Sequence, residues 1–224
     1  MYHRYAIYYM PDGALAALGA AWLGWDAEAG QEVAHPDVAL DVAALTEVPR
    51  KYGFHGTIKA PFRLADGVTR GGLEAALAGF CQQTCPVVLD GINVSKIGSF
   101  LALTPEGDPF LMRELARAVV CDLDRFRAPL SDAEIGKRRK NGLSKTQDEH
   151  LLAWGYPYVM DEFRFHMTLS GPLDVADQAA ALAVLKPLFS PYLTEPFTID
   201  SLCLAGEDAE GRFHLLRRYV LTGE

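Results

Sequence analysis

Two short segments of this chain carry the same arrangement of side chains that can act on protons and on negative charge. The first segment contains His55 and Thr57. The second contains His166 and Thr168, and both follow the pattern Phe-His-x-Thr-(Ile/Leu)-x-x-Pro-(Phe/Leu). An imidazole titrates near neutral pH, so two histidines can remove one proton and deliver another. A threonine hydroxyl can donate a hydrogen bond to a developing negative charge. The doubled pattern therefore predicts a functional cleft in which acid–base chemistry is possible.

The elements that position these side chains are predicted to be β-strands. Residues two apart in a strand point to the same face, so each histidine projects together with its threonine. The residues that alternate with them, such as Phe54, Ile58, Phe165 and Leu169, are apolar and would face a core. A single histidine in an apolar strand is most often structural, but the repetition of the whole pattern favours a functional interpretation. We expect two motif strands whose histidines and threonines line one cleft.

The doubled pattern resembles the signature of the two-histidine (2H) phosphoesterase superfamily, which includes RNA 2′,3′-cyclic phosphodiesterases and LigT-like proteins. Residues 4–9, 22–26 and 154–158 are similar to a branch of that superfamily associated with phosphonate metabolism. The resemblance covers nearly the whole chain, because each half contributes one motif. It implies that the motif histidines act as general acid and general base on a phosphodiester. It also implies that the motif threonines donate hydrogen bonds to the non-bridging oxygens.

The chain is predicted to fold as a single two-lobed α+β domain. Its apolar periodicity gives the order β-α-β-α-β-β for the first half, and much of that order returns in the second. We expect lobe one over about residues 1–106 and lobe two over about 107–224, with a helical insertion at about 128–155. An approximate twofold between the lobes would place the motif strands side by side at a central cleft. The family resemblance implies this same two-histidine phosphoesterase-like fold, with mixed β-sheet and helices in each repeat.

Local signals predict several element boundaries. The second motif strand is expected over residues 163–170. Ser131 with Glu134, and Ser144 with Gln147, fit the capping box that begins a helix. Both boxes lie within the insertion, which is therefore predicted to hold two helices.

Two basic residues adjoin the motifs on the predicted cleft face. Lys59 lies two residues beyond Thr57, and Arg164 lies two residues before His166. Period-two alternation would aim both side chains at a bound phosphate. A strand-end charge pointing into solvent is an equally simple interpretation of either one. Both are included among the predicted substrate-binding residues.

A second basic group lies in the insertion. Five of the 21 lysines and arginines fall within nine positions, at Lys137, Arg138, Arg139, Lys140 and Lys145. A solvated helix face would explain this group, but the planar fork of arginine is well suited to bind a phosphate through two parallel hydrogen bonds. We predict that Arg138 or Arg139 holds a second, non-reacting phosphate. Tyr156 is predicted to line the cleft, although packing against the core would account for it equally well.

Composition excludes several classes of function. The 224 residues are 50% hydrophobic, with no apolar run long enough to cross a membrane. A net charge of −8 argues against a broad contact with duplex nucleic acid. The GxxxxGK(S/T), GxGxxG and GxSxG patterns are absent, so nucleotide hydrolysis, dinucleotide binding and α/β-hydrolase chemistry lack their signatures. The N-terminus has no apolar signal segment, so we expect a cytoplasmic protein.

No metal site and no cofactor are predicted. The four histidines outside the motifs are not paired with carboxylates at metal-ligand spacing. Cys81 and Cys85 are close enough in sequence to share a metal, but no further ligand near them completes a zinc site. The two motif histidines would then act without a metal ion.

The sequence thus predicts a metal-independent cyclic phosphodiesterase with a small cyclic phosphate as its partner. The phosphonate-branch resemblance implies one specific substrate, 5-phosphoribosyl 1,2-cyclic phosphate. Two alternatives stay open. One is an enzyme that acts on RNA 2′,3′-cyclic ends, including an RNA ligase-like enzyme. The other is a module that binds a nucleotide or phosphate without turnover.

Overall fold

The structure, a computed structural model, describes residues 2–140 and 142–223. The strands are β1 (Arg4–Tyr9), β2 (Trp25–Asp26), β3 (Gln31–Glu32), β4 (Gly56–Phe62), β5 (Val87–Leu89), β6 (Ile92–Ile97), β7 (Phe100–Pro105), β8 (Met167–Thr168), β9 (Phe197–Ile199), β10 (Ser201–Glu207) and β11 (Phe213–Val220). The α-helices are α1 (Gly13–Leu23), α2 (Val42–Arg50), α3 (Arg70–Gln82), α4 (Phe110–Asp122), α5 (Asp132–Arg139), α6 (Lys145–Trp154) and α7 (Val175–Phe189). Within the described ranges, no helix is both long and apolar enough to cross a membrane.

One seven-stranded antiparallel sheet organises the chain, in the order β11-β10-β1-β4-β8-β7-β6. The two motif strands, β4 and β8, are direct neighbours within it. Two small antiparallel pairs, β2 with β3 and β5 with β9, lie outside this sheet. The predicted α+β class and the adjacency of the motif strands are confirmed.

The two halves of the chain exchange strands across the sheet. On the β8 side the sheet is extended by β7 and β6, which come from the first half of the sequence. On the β4 side it is extended by β1, then by β10 and β11 from the second half. Each side of the sheet thus combines strands from both halves, which a division near residue 106 does not anticipate.

Alternation along β1 shows how the sheet separates two clusters of buried residues. Tyr5, Ile7 and Tyr9 belong to a large core that includes apolar residues of the α-helices α1, α2, α3, α4 and α7. Ala6 and Tyr8, which point the opposite way, belong to a smaller cluster with Trp25, Phe213 and their neighbours. His55 is associated with this second cluster through its contact with Tyr8.

The second motif strand is shorter than predicted. Of residues 163–170, only Met167–Thr168 form a strand. Just beyond it, the backbone N–H groups of Leu169 and Ser170 both donate to the single carbonyl of Leu101, so the ladder ends there. The N–H of Gly171 then donates to the Leu45 carbonyl of helix α2. The strand ends because its backbone bonds to residues distant in sequence, and the local sequence pattern cannot predict such contacts.

The insertion holds the two helices that its capping boxes predict. Ser131 accepts from the N–H of Glu134 while the Glu134 carboxylate accepts from the N–H of Ser131, and helix α5 begins there. Ser144 and Gln147 make the same reciprocal contacts at the start of helix α6. The two helices contact one another, and an Arg63–Glu134 ion pair of 2.6 Å ties helix α5 to the strand β4 side of the molecule.

Candidate active site

The register of the central strands brings the four motif side chains together. Gly56 of strand β4 lies opposite Met167 of strand β8 in an antiparallel pair. Continued one step to either side, this antiparallel register would set His55 across from Thr168 and Thr57 across from His166. Both flanking pairs point to the face away from Met167. This register would relate the two motifs by a local twofold, with each histidine across from the threonine of the other motif.

Both imidazoles are oriented by the same backbone contact. The Nδ1 atom of His55 lies 2.9 Å from the carbonyl oxygen of Gly53, and Nδ1 of His166 lies 2.8 Å from that of Arg164. A carbonyl can only accept, so Nδ1 carries the proton in each neutral ring and Nε2 keeps its lone pair. Nε2 of His55 lies 3.0 Å from the hydroxyl oxygen of Thr57. In this tautomer Nε2 of His55 accepts from the Thr57 hydroxyl, and Nε2 is the unprotonated ring nitrogen of both histidines.

Two glycines make this arrangement possible. Gly53 adopts φ +71°, which favours glycine, and a Cβ there would lie 2.6 Å from the Cβ of Ala27. Gly56 has no such backbone requirement, but a Cβ there would lie 2.4 Å from the ring of Phe165. The first motif therefore has glycine between its histidine and threonine because an aromatic ring of the second motif occupies that space.

The two histidines have different surroundings. The ring of Tyr8 stacks on His55 with centroids 3.8 Å apart, whereas the nearest ring to His166 is Phe100 at 5.6 Å. Burial disfavours the imidazolium and lowers the pKa of His55 to about 4, although the Gly53 carbonyl opposes the shift. Burial lowers the pKa of His166 too, against the opposing effect of the Arg164 carbonyl. A bound phosphate would raise both pKa values again, because an anion favours the charged ring.

Lys59 does not project into the site as simple alternation predicts. Its side chain is 4% exposed, and Nζ donates to the Val120 carbonyl at 3.1 Å and to Asp124 at 3.2 Å. The pairing of strands β1 and β4 shifts register between Thr57 and Lys59, so the period-two argument fails at this point. Because the ammonium is already paired with a carboxylate, the predicted contact of Lys59 with a phosphate is not what the structure shows.

Arg164 contributes its backbone to the site, through the carbonyl that orients His166, while its side chain is exposed. Arg139 is also directed elsewhere, because its guanidinium makes two hydrogen bonds to Asp148, at 2.6 and 2.8 Å. Arg138 and Tyr156, in contrast, line a cavity of about 670 Å³, with the Arg138 guanidinium 5.0 Å from the Tyr156 ring centre. Burial raises the pKa of the Tyr156 hydroxyl.

Sequence reasoning missed the residues that shape the site from strand β1 and from the turn before strand β4. Tyr8 and Arg4 lie on the same face of strand β1, and Arg4 lines the cavity together with Tyr52. Gly53 supplies the carbonyl that orients His55. The period-two pattern of strand β1 was available as a signal, but only the sheet order shows that this strand borders the first motif strand. Among the described residues, no group of three or more His, Cys, Asp or Glu side chains is placed to hold a metal ion.

Residues 57–214 match a family model described as a protein of unknown function (DUF1045), and the chain belongs to that family. It is 37% identical over 218 residues to the ribose 1,5-bisphosphate phosphokinase PhnN of Janthinobacterium sp. (strain Marseille), with 93% of this chain and 48% of the relative covered. It is 34% identical over 221 residues to the protein of the same name from Laribacter hongkongensis (strain HLHK9), with 97% and 51% covered. The chain spans about half the length of these curated relatives.

Solved structures with a similar course of the chain include one described as a phosphoesterase. It has 13% identity and a TM-score of 0.48, with 99% of each chain covered. Another is E. coli LigT complexed with NADP+, with 12% identity and a TM-score of 0.47, covering 99% of this chain and 98% of that one. At these scores the likeness carries no conclusion about function.

Proposed function

We propose that this chain is a phosphodiesterase that opens a small cyclic phosphate with its two histidines and without a metal ion. The observation that carries the proposal is the Gly56–Met167 register, which sets two His/Thr pairs around one local twofold. Hydrolysis of a cyclic phosphodiester needs a base on one side of phosphorus and an acid on the other. Two Nε2 atoms presented from neighbouring strands meet that need. The Thr168 hydroxyl, and the Thr57 hydroxyl once it turns away from His55 Nε2, would donate to the non-bridging oxygens.

In the proposed reaction His55 is the base and His166 is the acid. When their surroundings give two catalytic groups different pKa values, the difference indicates which one acts as the base and which as the acid. His55 is the more strongly held in its neutral form, so its Nε2 accepts the proton of the attacking water. The water oxygen bonds to phosphorus and one ring P–O bond breaks. His166, protonated at Nε2, then gives its proton to the leaving oxygen, and the product is a phosphate monoester.

The proposed substrate is 5-phosphoribosyl 1,2-cyclic phosphate. The curated relatives are named for a kinase that acts on ribose 1,5-bisphosphate, and this chain corresponds to about half of each. A GxxxxGK(S/T) loop, which would hold the phosphates of ATP, is absent from this sequence. Breaking the bond between phosphorus and O2 of the cyclic substrate leaves the phosphate on O1. That product is ribose 1,5-bisphosphate, the compound on which the relatives are named to act.

The proposal is tested by phosphorus NMR of reactions with 5-phosphoribosyl 1,2-cyclic phosphate and with an RNA oligonucleotide that ends in a 2′,3′-cyclic phosphate. We expect the ribosyl compound to be converted to ribose 1,5-bisphosphate. Faster turnover of the oligonucleotide would favour the RNA enzyme instead. Binding of either compound without turnover would favour a binding module.

A further inference from the structure

The cavity beside the candidate active site has an uneven distribution of paired and unpaired charge. It is lined by Tyr52, whose ring centre is 6.1 Å from that of His55, and it extends to helix α5 and to Tyr156. Its volume of about 670 Å³ exceeds what one cyclic phosphate fills, and falls within the range of small-molecule sites. Lysines and arginines outnumber carboxylates among the side chains that line it, with Arg4, Lys51, Lys59, Arg63, Arg127, Lys137 and Arg138 against Glu134 and Glu207.

Several of these cations are neutralised by carboxylates and so have a structural role in the cavity wall. Arg4 is paired with Glu207, and Arg63 with Glu134. Asp124 accepts from both Lys59 and Arg127. Such pairs hold the cavity's shape but leave little charge for a ligand, because each is already compensated.

Three cations on the cavity have no such compensation. Within residues 2–140 and 142–223, no carboxylate lies within 4.0 Å of the side-chain nitrogens of Lys51, Lys137 or Arg138. Lys51 lies 5.0 Å from the ring centre of Tyr52, and Arg138 lies 5.0 Å from that of Tyr156. A guanidinium that rests on an aromatic ring is held in place while its N–H edge stays available.

We propose that Arg138 binds a second, non-reacting phosphate group of the substrate, with Lys137 and Lys51 adding positive charge. The identity of this ligand as part of the substrate rests on the proposed function. A phosphate monoester is doubly charged near neutral pH, so it can use all three cations, and its oxygens match the fork of the guanidinium. Helix α5 holds Arg138 over the cavity, because its N-terminal turn is fixed by Arg63 and by the capping box of Ser131.

The adjacent residue on helix α5 provides a matched control. Arg139 is likewise an arginine of the last helical turn, but it is bound to Asp148 of helix α6 and does not line the cavity. The two substitutions, Arg138→Ala and Arg139→Ala, remove the same charge from the same helix. An effect confined to Arg138→Ala therefore reports on the cavity and not on the net charge of the protein.

The first experiment measures binding without catalysis. In a variant that combines His55→Ala with His166→Ala, calorimetry gives the affinity for ribose 5-phosphate and for ribose. Arg138→Ala in this background should weaken the affinity for ribose 5-phosphate by roughly 10–100-fold, which corresponds to the loss of hydrogen bonds to a charged group. Arg138→Lys should recover part of the affinity, and Arg139→Ala should change it by less than about twofold. Equal affinity with and without Arg138 would overturn the proposal.

The second experiment compares KM for 5-phosphoribosyl 1,2-cyclic phosphate and for ribose 1,2-cyclic phosphate. We expect Arg138→Ala to raise KM for the first compound alone. Equal effects on both compounds would refute the second-phosphate site and leave the cyclic phosphodiesterase standing. If Arg138→Ala weakens ribose 5-phosphate binding but the wild-type protein turns over neither compound, the phosphate site is supported and the proposed function is rejected.

Discussion

The close contact between Gly56 and Phe165 makes Gly56→Ala an informative perturbation of the site. The added Cβ would lie 2.4 Å from the Phe165 ring, where ordinary contacts begin at 3.4 Å, so the ring must retreat by about 1 Å. Overpacking of this kind typically costs about 1–3 kcal/mol of stability. The ring precedes His166 directly, and a shift of about 1 Å in a catalytic group can reduce the rate on the order of 100-fold.

The assay combines urea unfolding with turnover of the cyclic phosphate. Gly79→Ala is the control, because its Cβ would meet nothing within 4 Å on helix α3, and it should be neutral or stabilising by up to about 1 kcal/mol. Adding Phe165→Leu should reduce the cost of Gly56→Ala, with a coupling of at least about 0.5 kcal/mol. A Gly56→Ala protein with wild-type stability and turnover would refute the reasoning that the two motifs pack through this glycine.

Three further predictions concern the chemistry. His55→Ala and His166→Ala should each lower kcat/KM by at least about 10²-fold with the fold intact by circular dichroism, while His150→Gln, outside the site, should not. Stability should fall as pH drops from about 6.5, the ordinary imidazole pKa, towards about 4, because unfolded His55 takes up a proton that the folded state resists. Measured by urea unfolding, the free energy of unfolding of His55→Gln should depend less steeply on pH across that range than that of the wild type. An equally steep pH dependence would contradict the burial argument. Excess EDTA should leave turnover unchanged. If EDTA abolishes turnover and added divalent ions restore it, the mechanism is metal-dependent instead.

The motif residues and their alternation could be read from the sequence because strand geometry is local. The i to i+2 rule places His55 with Thr57 wherever strand β4 lies, and the capping boxes of helices α5 and α6 involve residues only three apart. Non-local contacts are outside the reach of such rules. The stacking of Tyr8 on His55 depends on strand order, and the burial of Lys59 depends on a register shift beside strand β1.

The basic run of the insertion shows the same limit at the level of single side chains. Sequence spacing does not distinguish Arg138 from Arg139, since both fall in one helical turn. The difference arises from helix α6, where Asp148 captures Arg139, and from the loop after it, where Tyr156 supports Arg138. Which arginine is available is therefore a property of how two helices pack.

The exchange of strands between the halves has a consequence for how the molecule folds. Strand β1 forms its outer pair with strand β10, and the Arg4–Glu207 ion pair spans 203 positions of the chain. The central pair of strands β4 and β8 likewise joins distant residues, so much of the sheet closes only over long loops, which favours slow folding. Until strands β10 and β11 have been added, strand β1 has an open edge that can pair with other chains. A duplicated motif suggests two separable units, yet the pairs β4–β8, β7–β8 and β1–β10 each join strands from different halves, so neither half completes its part of the sheet alone.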